Sequence, residues 1–227
     1  MSTVVVRELT KQYRQGSLTV PALQGVSLQI EPGELTALMG PSGSGKTTLL
    51  NIIGGLDAPT SGEVIVEGVD LARASPAEVS KLRLRRLGFV FQAYNLIPVL
   101  SAYENTELVL LLQGVPEAER REKAMAMLEA VGLKGMENRR PNELSGGQQQ
   151  RVAVARAIAA SPALVLADEP TANLDSKTGV ELLETMRRLN EERGVTFVFA
   201  THDPKVMERA RRVVRLVDGR IAEDLRK

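Results

Sequence analysis

A chain of 227 residues is long enough for one large domain, or for one domain that carries a subdomain. Its 29 lysines and arginines nearly balance 28 acidic residues, so the net charge of +1 gives no global attraction for nucleic acid or anionic lipid. The absence of cysteine excludes disulfides and thiolate metal sites, and the single histidine excludes a multi-histidine metal site. No segment approaches about 18 uninterrupted apolar residues, so we expect a soluble chain that does not insert into a membrane.

β-branched residues and alternating polarity predict strands in the first part of the chain. The stretches concerned are VVVREL, VSLQI, LTALM, GEVIVEG and LGFVFQ. The chain then loses β character between residues 101 and 160, where PEAERREKAMAMLEAVG has helical spacing. We therefore expect a helical insertion over about residues 92–162.

Strands and helices alternate in the last part of the chain. The predicted strands are ALVLAD, VTFVFAT and RVVRLVDGRI, and the predicted helices are SKTGVELLETMRRLNEERG and a short one after Asp203. Continuous apolar strands between helices are typical of a parallel sheet covered on both faces. The sequence therefore predicts one α/β domain over residues 1–227, in which 1–91 and 163–227 flank the helical insertion.

A glycine-rich loop follows the predicted strand LTALM and precedes a predicted helix. It comprises Gly40, Pro41, Ser42, Gly43, Ser44, Gly45, Lys46, Thr47 and Thr48. Glycines let successive N–H groups wrap phosphates, Lys46 can reach the terminal phosphates, and the Thr47 hydroxyl is a ligand suited to Mg²⁺. A plain Gly/Ser turn is the alternative, but the strand and helix on either side favour a nucleotide phosphate site.

A magnesium nucleotide requires a carboxylate near the phosphate loop, and ALVLADE supplies two. Asp168 stands where this apolar strand reaches the carboxyl edge of the sheet, and Glu169 follows it. Successive strand residues face opposite sides, so we expect Asp168 to hold Mg²⁺ and Glu169 to polarise an attacking water. Alternatively, the two acids only cap the turn that Pro170 begins.

Two polar residues end other apolar strands at the same predicted edge. His202 follows VTFVFAT, which favours a contact with the γ-phosphate or the attacking water, although a lone histidine is more often structural. Gln92 ends LGFVFQ, where its amide could meet Mg²⁺ or water, or merely terminate the strand. We therefore group Glu169, His202, Lys46 and Gln92 as candidate catalytic residues.

The stretch NELSGGQQQRVAVARAIAA places a glycine pair in front of a predicted helix. Gly146 and Gly147 follow Ser145 and leave the backbone N–H groups of the helix start accessible. Free N–H groups and the helix dipole favour an anion there, so the pair predicts a phosphate contact. An ordinary serine-capped helix is the alternative.

These motifs, in this order, resemble those of the nucleotide-binding subunits of ABC transporters. The motifs are GPSGSGKT, Gln92, LSGGQQQR, LVLADE, ANLD and His202. The stretches FVFQAYNLIP and ADEPTANLDSKTG look like the lipoprotein-releasing and macrolide-exporter type. The resemblance implies a P-loop NTPase (RecA-like) core with an N-terminal antiparallel β subdomain and an inserted α-helical subdomain. It also implies ATP and Mg²⁺ as cofactors, and ATP hydrolysis that drives export or release of lipoprotein, macrolide or peptide.

The resemblance assigns the remaining candidate residues. In this family the segment that corresponds to Ser145–Gln148 closes on the γ-phosphate held by a partner subunit, so the resemblance implies that the ATP-bound protein is a homodimer. Asp175 of ANLD would lie along the dimer seam, although it could simply cap the following helix. Tyr13, the only aromatic residue before the phosphate loop, matches the residue that stacks on adenine, although it could be an ordinary edge-strand tyrosine.

Separately encoded membrane permease subunits are the partners that the resemblance implies. They would hold the chain at the inner face of the membrane, in the cytoplasm, without nucleic acid as a partner. The apolar residues Leu96, Ile97 and Leu100 lie in a probable loop where the family receives a coupling helix from the permease. Phe89 and Phe91 alternate within a strand and are expected in the core.

The alternative function is an ATP-dependent dimerisation switch that regulates a membrane-bound cell-wall or division machine without moving cargo.

Overall fold

The computed structural model describes residues 2–16 and 18–227. Its strands are β1 (Val4–Gln15), β2 (Leu18–Ile30), β3 (Leu35–Met39), β4 (Ser61–Val66), β5 (Val69–Asp70), β6 (Leu87–Val90), β7 (Leu164–Asp168), β8 (Thr196–Thr201), β9 (Arg212–Val217) and β10 (Arg220–Arg226). Its helices are α1 (Lys46–Ile53), α2 (Pro76–Arg86), α3 (Ala102–Leu112), α4 (Glu117–Ala130), α5 (Gly146–Ile158), α6 (Ser176–Arg193) and α7 (Pro204–Arg209), with a 3₁₀ turn at Pro141–Glu143.

The strands form two sheets. The first is antiparallel, in the order β2-β1-β4-β5, and is the expected N-terminal β subdomain. The second has the order β10-β9-β3-β8-β7-β6 and is parallel except for β10, which returns antiparallel to β9. The predicted parallel sheet therefore gains an antiparallel edge, because the turn at Asp218 and Gly219 makes a hairpin of the last predicted strand.

The parallel sheet is buried on both faces, as its continuous apolar strands predict. Val165 and Ala167 of β7 pack with buried residues of α5 and α6, whereas Leu164 and Leu166 pack with α1 and the first sheet. The same alternation divides β8 between the two clusters. This division follows from the two-residue period of a strand, and it fixes the sheet between two layers.

The helices between β6 and β7 are α3, α4 and α5, and all three lie within the predicted insertion. Helix α5 contacts α3 and α4 and also packs on β6 and α6, so it joins the insertion to the parallel sheet. The exact limits of the insertion stay a prediction. The sequence reading did not foresee α2 or α3.

Parallel pairing brings the carboxyl ends of three strands to one edge. Met39 of β3 pairs with Thr201 of β8, and Asp168 of β7 pairs with Ala200 of the same strand. The loops after β3, β7 and β8 therefore begin side by side, at the edge where ligands bind in open α/β sheets.

Candidate active site

The loop between β3 and α1 has a backbone path that only glycine permits at two positions. Gly40 has a φ of +154°, and a Cβ atom there would lie 2.2 Å from the carbonyl oxygen of Leu216. Gly45 has a φ of +100°, and a Cβ atom there would lie 2.6 Å from the carbonyl oxygen of Ala22. Both glycines are thus required by close approach of the loop to other backbone segments.

Lys46 places a nearly buried ammonium inside this loop, with 7% of the residue exposed. Its Nζ donates to the carbonyl oxygens of Gly40, at 2.8 Å, and Pro41, at 2.9 Å. Helix α1 begins at Lys46 without a side-chain cap, so its first N–H groups are available to a ligand. A positive side chain and an uncapped helix start make this loop an anion-binding cradle.

Asp168 faces the start of α1. The Thr47 hydroxyl donates to Asp168 Oδ1 at 3.1 Å. Burial raises the pKa of Asp168 above its ordinary value, and the nearby Glu169 charge adds to this, whereas the Thr47 hydrogen bond and Lys46 oppose it. The Asp168 carboxylate therefore lies beside the phosphate loop, and its neighbours compensate its negative charge only in part.

Glu169 lies just after β7 and has a left-handed φ of +46°, which is unusual for a side chain of this size. Its N–H donates to the Ala200 carbonyl at 2.8 Å. The Thr201 hydroxyl donates to Glu169 Oε2 at 3.0 Å, and His202 Nδ1 lies 2.7 Å from Glu169 Oε1. Alternation of strand faces is therefore not what separates the two acids: a left-handed turn redirects Glu169 toward β8.

One cleft of about 590 Å³ gathers most of the predicted residues. Its lining consists of Ala22, Pro41, Ser42, Gly43, Gly45, Lys46, Thr47, Thr48, Gln92, Glu169, Ala172 and His202. The phosphate loop and the ends of three different strands thus meet at one opening. No residue from Ser145 to Gln148 is among the described residues that line it.

Comparison with known proteins identifies the family that has this arrangement. The family model described as ABC transporter matches residues 23–172, which is more than half of the chain. The chain belongs to the ABC transporter family. This membership confirms the predicted ATP-binding and ATP-hydrolysing class.

Individual relatives of the ABC family agree with this assignment. A lipoprotein-releasing system ATP-binding protein LolD from Geobacter metallireducens is 47% identical over 98% of this chain and 99% of its own length. A macrolide export ATP-binding/permease protein MacB from Syntrophobacter fumaroxidans is 50% identical over 96% of this chain, but the chain spans only 31% of that relative.

A solved structure of an ABC cassette from Methanocaldococcus jannaschii confirms the fold. It is 45% identical, has a TM-score of 0.91 and covers 98% of both chains. That structure is a dimer in a post-hydrolysis state, bound to ADP and Pi. Because the similarity extends over nearly the whole chain, it includes the inserted helices as well as the core.

The donors beside the phosphate loop suit the Mg²⁺ that usually accompanies ATP in such proteins. Mg²⁺ prefers oxygen ligands and is typically bound by one or two carboxylates or hydroxyls together with nucleotide phosphates. The Thr47 hydroxyl and the Asp168 carboxylate are such ligands and lie 3.1 Å apart. The incompletely compensated charge of Asp168 fits the same role.

The glycine pair at the start of α5 is closely packed within this chain. A Cβ atom at Gly146 would lie 2.9 Å from the Tyr94 hydroxyl, and one at Gly147 would lie 2.4 Å from Thr178 Cγ2. Ser145 caps the helix: its Oγ accepts from the Gln148 N–H, while Gln148 Oε1 accepts from the Ser145 N–H. Internal packing is thus a second reason for the glycines, in addition to access for a phosphate.

Two other predicted residues have local contacts in the structure. Asp175 caps α6 by accepting from the N–H groups of Lys177 and Thr178, which is the simpler of its two expected roles. The Tyr13 hydroxyl donates to Asp57, and the Lys11 ammonium lies 4.8 Å from the ring centroid. With 40% of Tyr13 exposed, part of its ring is free for another contact. Their roles at the dimer seam and at adenine stay predictions.

Sequence reasoning missed two residues that organise the site. Thr201 fixes one oxygen of Glu169, and only its place before His202 at the end of β8 could have signalled this. Gln150 of α5 is fully buried, and its Nε2 donates to the Pro170 carbonyl at 2.8 Å. The signal that could have revealed it is a polar side chain on the otherwise apolar face of α5.

A second cleft, of about 440 Å³, lies apart from the active site and is called the groove here. It is lined by Leu56, Ser80, Arg83, Leu84, Leu87, Gly88, Phe89, Phe91, Asn95, Val109, Arg156 and Ala157. Neither Leu96 nor Ile97 is among these residues, and Leu96 packs against the core instead. The groove is therefore distinct from the loop that holds Leu96, Ile97 and Leu100, and the permease contact expected at that loop stays a prediction. Phe89 and Phe91, which are expected in the core, are only partly buried and line the groove.

Within residues 2–16 and 18–227, no helix combines the length and apolar character that crossing a membrane requires.

Proposed function

We propose that this chain powers a transporter by hydrolysing ATP between two copies of itself, at the cytoplasmic face of a membrane that holds separate permease subunits. The observation that carries this proposal is the single cleft that joins the phosphate loop to Glu169 and His202. The residues that are needed to bind phosphates and to activate a water thus border one space.

In this proposal, one set of residues binds the magnesium nucleotide and another accepts the proton of the attacking water. The N–H groups of the phosphate loop and Lys46 bind the phosphates. Thr47 and Asp168 hold Mg²⁺, which neutralises charge on the phosphate oxygens, and Gln92 borders the same space. Glu169 accepts the proton of the attacking water, and its contacts with Thr201 and His202 fix the carboxylate for this task.

A second copy completes the site in this proposal. The start of α5, with Ser145, Gly146, Gly147 and Gln148, lies outside the lining of its own cleft, so it is available to contact the γ-phosphate on the partner. Asp175 then lies at the seam between copies, and Tyr13 stacks on adenine. The dimeric state of the related cassette from Methanocaldococcus jannaschii supports this arrangement.

The relatives suggest the direction of transport. LolD belongs to a lipoprotein-releasing system, and MacB is a macrolide export protein. We therefore place the cargo of this system among lipoproteins, macrolides or peptides that are exported or released. The insertion over about residues 92–162 is the helical subdomain, and the loop that holds Leu96, Ile97 and Leu100 receives the permease.

The catalytic assignment can be tested by two substitutions in the cleft. Glu169→Gln keeps the shape of the side chain but removes the base, so it should bind ATP normally and hydrolyse it at least about 100-fold more slowly. Lys46→Ala removes the charge that faces the phosphates and should weaken ATP binding itself. Equilibrium binding of ATP and phosphate release distinguish these two defects.

Glu192→Gln is the matched control, because Glu192 is exposed on α6 and lies outside the cleft. It should bind and hydrolyse ATP at the rate of the unchanged chain. Near-normal turnover in Glu169→Gln would exclude Glu169 as the base.

A further inference from the structure

The loop after α1 carries an acid, Asp57, that binds two side chains of β1. The Tyr13 hydroxyl donates to Asp57 Oδ2 at 2.7 Å, and the Lys11 ammonium donates to Asp57 Oδ1 at 2.6 Å. Lys11 also donates to the Ala58 carbonyl at 2.7 Å, and its ammonium lies over the Tyr13 ring, 4.8 Å from the centroid. Asp57, Lys11 and Tyr13 therefore form one cluster, in which the carboxylate is bound at both oxygens.

The two partners of the Tyr13–Asp57 bond hold the protonation states that this bond requires. Burial raises the pKa of Tyr13, and its hydrogen bond to Asp57 adds to this, so the hydroxyl keeps its proton at neutral pH. Burial alone would raise the pKa of Asp57, but the hydrogen bonds from Lys11 and Tyr13 outweigh it and hold this pKa below its ordinary value. The bond thus joins a neutral donor to a carboxylate, which makes it stronger than a bond between two neutral groups.

The cluster lies where β1 loses the support of a third strand. In the described part of the chain, β1 pairs with β4 as far as Thr10 and beyond it with β2 alone. A two-stranded ribbon is only marginally stable by itself, so the place of Tyr13 depends on further contacts with the rest of the chain. The Gln12 N–H provides one of these by donating to the Thr60 hydroxyl at 3.0 Å, and the carboxylate of the cluster provides two more.

Asp57 also connects this ribbon to the phosphate loop. Its backbone N–H donates to the Asn51 carbonyl of α1 at 3.3 Å, and α1 begins at Lys46. The Thr48 side chain, which lines the cleft, lies close enough to the Tyr13 hydroxyl to counter part of the rise in its pKa by hydrogen bonding. The Tyr13 ring is therefore held at a defined place beside the loop that binds phosphates.

We propose that Asp57 is a positioning residue for the nucleotide base: it fixes the Tyr13 hydroxyl relative to α1, so that the ring can stack on the base while Lys46 binds the phosphates. The inference rests on the proposed function, because it requires a nucleotide in the cleft and the contact of Tyr13 with adenine. It adds to that function a residue that never touches the nucleotide. Fixing the ring before ATP arrives increases affinity, because less conformational freedom is lost on binding.

The test compares two ligands that share a chain of three phosphates, ATP and tripolyphosphate, each with Mg²⁺. In the full chain, Asp57→Asn removes the carboxylate charge, and Tyr13→Phe removes the hydroxyl but keeps the ring. Each variant should bind ATP about tenfold more weakly, the scale of one hydrogen bond to a charged group, and bind tripolyphosphate as the unchanged chain does. The KM for ATP should rise by the same factor while kcat stays unchanged, because the residues that face the phosphates are intact.

Asp70→Asn is the matched control. The Asp57 side chain is 29% exposed and the Asp70 side chain is 25% exposed, and each accepts from a backbone N–H and pairs with one basic side chain. The contacts of the Asp70 carboxylate are with Ala72 and Arg73 of its own segment, so its loss should change the binding of neither ligand. A purely structural role of Asp57 predicts a different pattern, since a disturbance of α1 would weaken ATP and tripolyphosphate alike.

Tyr13→Ala provides the background that decides the mechanism, because it has no ring to position. It should bind ATP more weakly by itself, and Asp57→Asn added to it should cause no further loss. Three results would each overturn the inference: normal ATP affinity in Asp57→Asn, a parallel loss of tripolyphosphate binding, or a full further loss when Asp57→Asn is added to Tyr13→Ala.

Two further outcomes separate the inference from its foundation. If Asp57→Asn does not fold, Tyr13→Phe decides the result, and normal ATP affinity in that variant overturns the inference. If Tyr13→Ala itself binds ATP normally, the adenine contact of the proposed function fails as well. If Tyr13→Ala weakens ATP binding and Asp57→Asn does not, only the inference fails, so the two failures are distinguishable.

Discussion

Asp168 illustrates how a functional residue can lower the stability of the protein that contains it. Its pKa is raised chiefly by burial, so the folded protein holds the proton more tightly than the unfolded chain does. Ionisation of Asp168 therefore costs folding free energy, and this cost develops as the pH rises above the ordinary pKa of an aspartate. In the proposed function, binding of a metal nucleotide would relieve this cost.

Asp168→Asn tests this relation, because the amide can still accept the Thr47 hydrogen bond without a charge. At pH 7 the unliganded variant should melt at the same or a higher temperature than the unchanged chain, and the difference should shrink as the pH falls toward the aspartate range. Mg²⁺ added with ATP should stabilise the unchanged chain more than ATP with EDTA does, and Asp168→Asn should lose this difference. A variant that melts lower at pH 7 yet retains the Mg²⁺ effect would contradict both expectations.

At the residue scale, the sequence could predict which side chains meet but not how each is held. Apolar strands ending in Asp168 and His202 indicated a common sheet edge, and the structure places both beside the phosphate loop. The left-handed backbone of Glu169 was not predictable, because glutamate rarely adopts it and only the surrounding structure can enforce it. The catalytic roles themselves stay predictions.

At the scale of an element, helix α5 shows that local sequence does not reveal contacts between distant segments. The sequence predicts that its start leaves bare backbone for a phosphate, yet a Cβ atom at Gly147 would lie only 2.4 Å from Thr178 Cγ2. That contact joins two segments about thirty residues apart, so local sequence could not reveal it. Whether the glycine serves internal packing, a phosphate on another copy, or both can be resolved by substitution.

Gly147→Ala should lower the free energy of unfolding by about 1–3 kcal/mol, the usual cost of overpacking, as measured by urea denaturation. Thr178→Ser removes only the methyl group that clashes, so the double variant should regain most of this stability. If the glycine also admits a phosphate, the double variant should still fail to form the ATP-dependent dimer. A double variant that dimerises normally would leave packing as the sole reason for the glycine.

Helices α2 and α3, which the sequence did not predict, show which kinds of element a sequence pattern can identify. Helix α2 has a single buried residue, Leu82, so it lacks an apolar stripe. Helix α3 has the opposite problem, because Leu111 and Leu112 are exposed at the end of a continuous apolar run. The strands of the parallel sheet can be predicted, because burial on both faces makes each of them a nearly continuous run of apolar residues.

At the scale of the whole molecule, a single chain holds only part of the proposed site. The cleft brings the phosphate loop together with Glu169 and His202, whereas the start of α5 lies outside its lining. The N–H groups there favour an anion, and ATP offers a γ-phosphate that ADP lacks. Association of two copies should therefore depend on which nucleotide is bound.

Light scattering on Glu169→Gln tests this dependence, because slow hydrolysis preserves the ATP-bound state. With Mg²⁺ and ATP the mass should double from the 24.6 kDa of one chain, and with ADP it should stay at that of a monomer. Lys46→Ala in the Glu169→Gln background should stay monomeric with ATP, since the nucleotide that bridges the copies is no longer held. A monomer at high concentration with Mg²⁺ and ATP would remove the shared site from the proposed function. A dimer with ADP as well would show that the γ-phosphate does not control association.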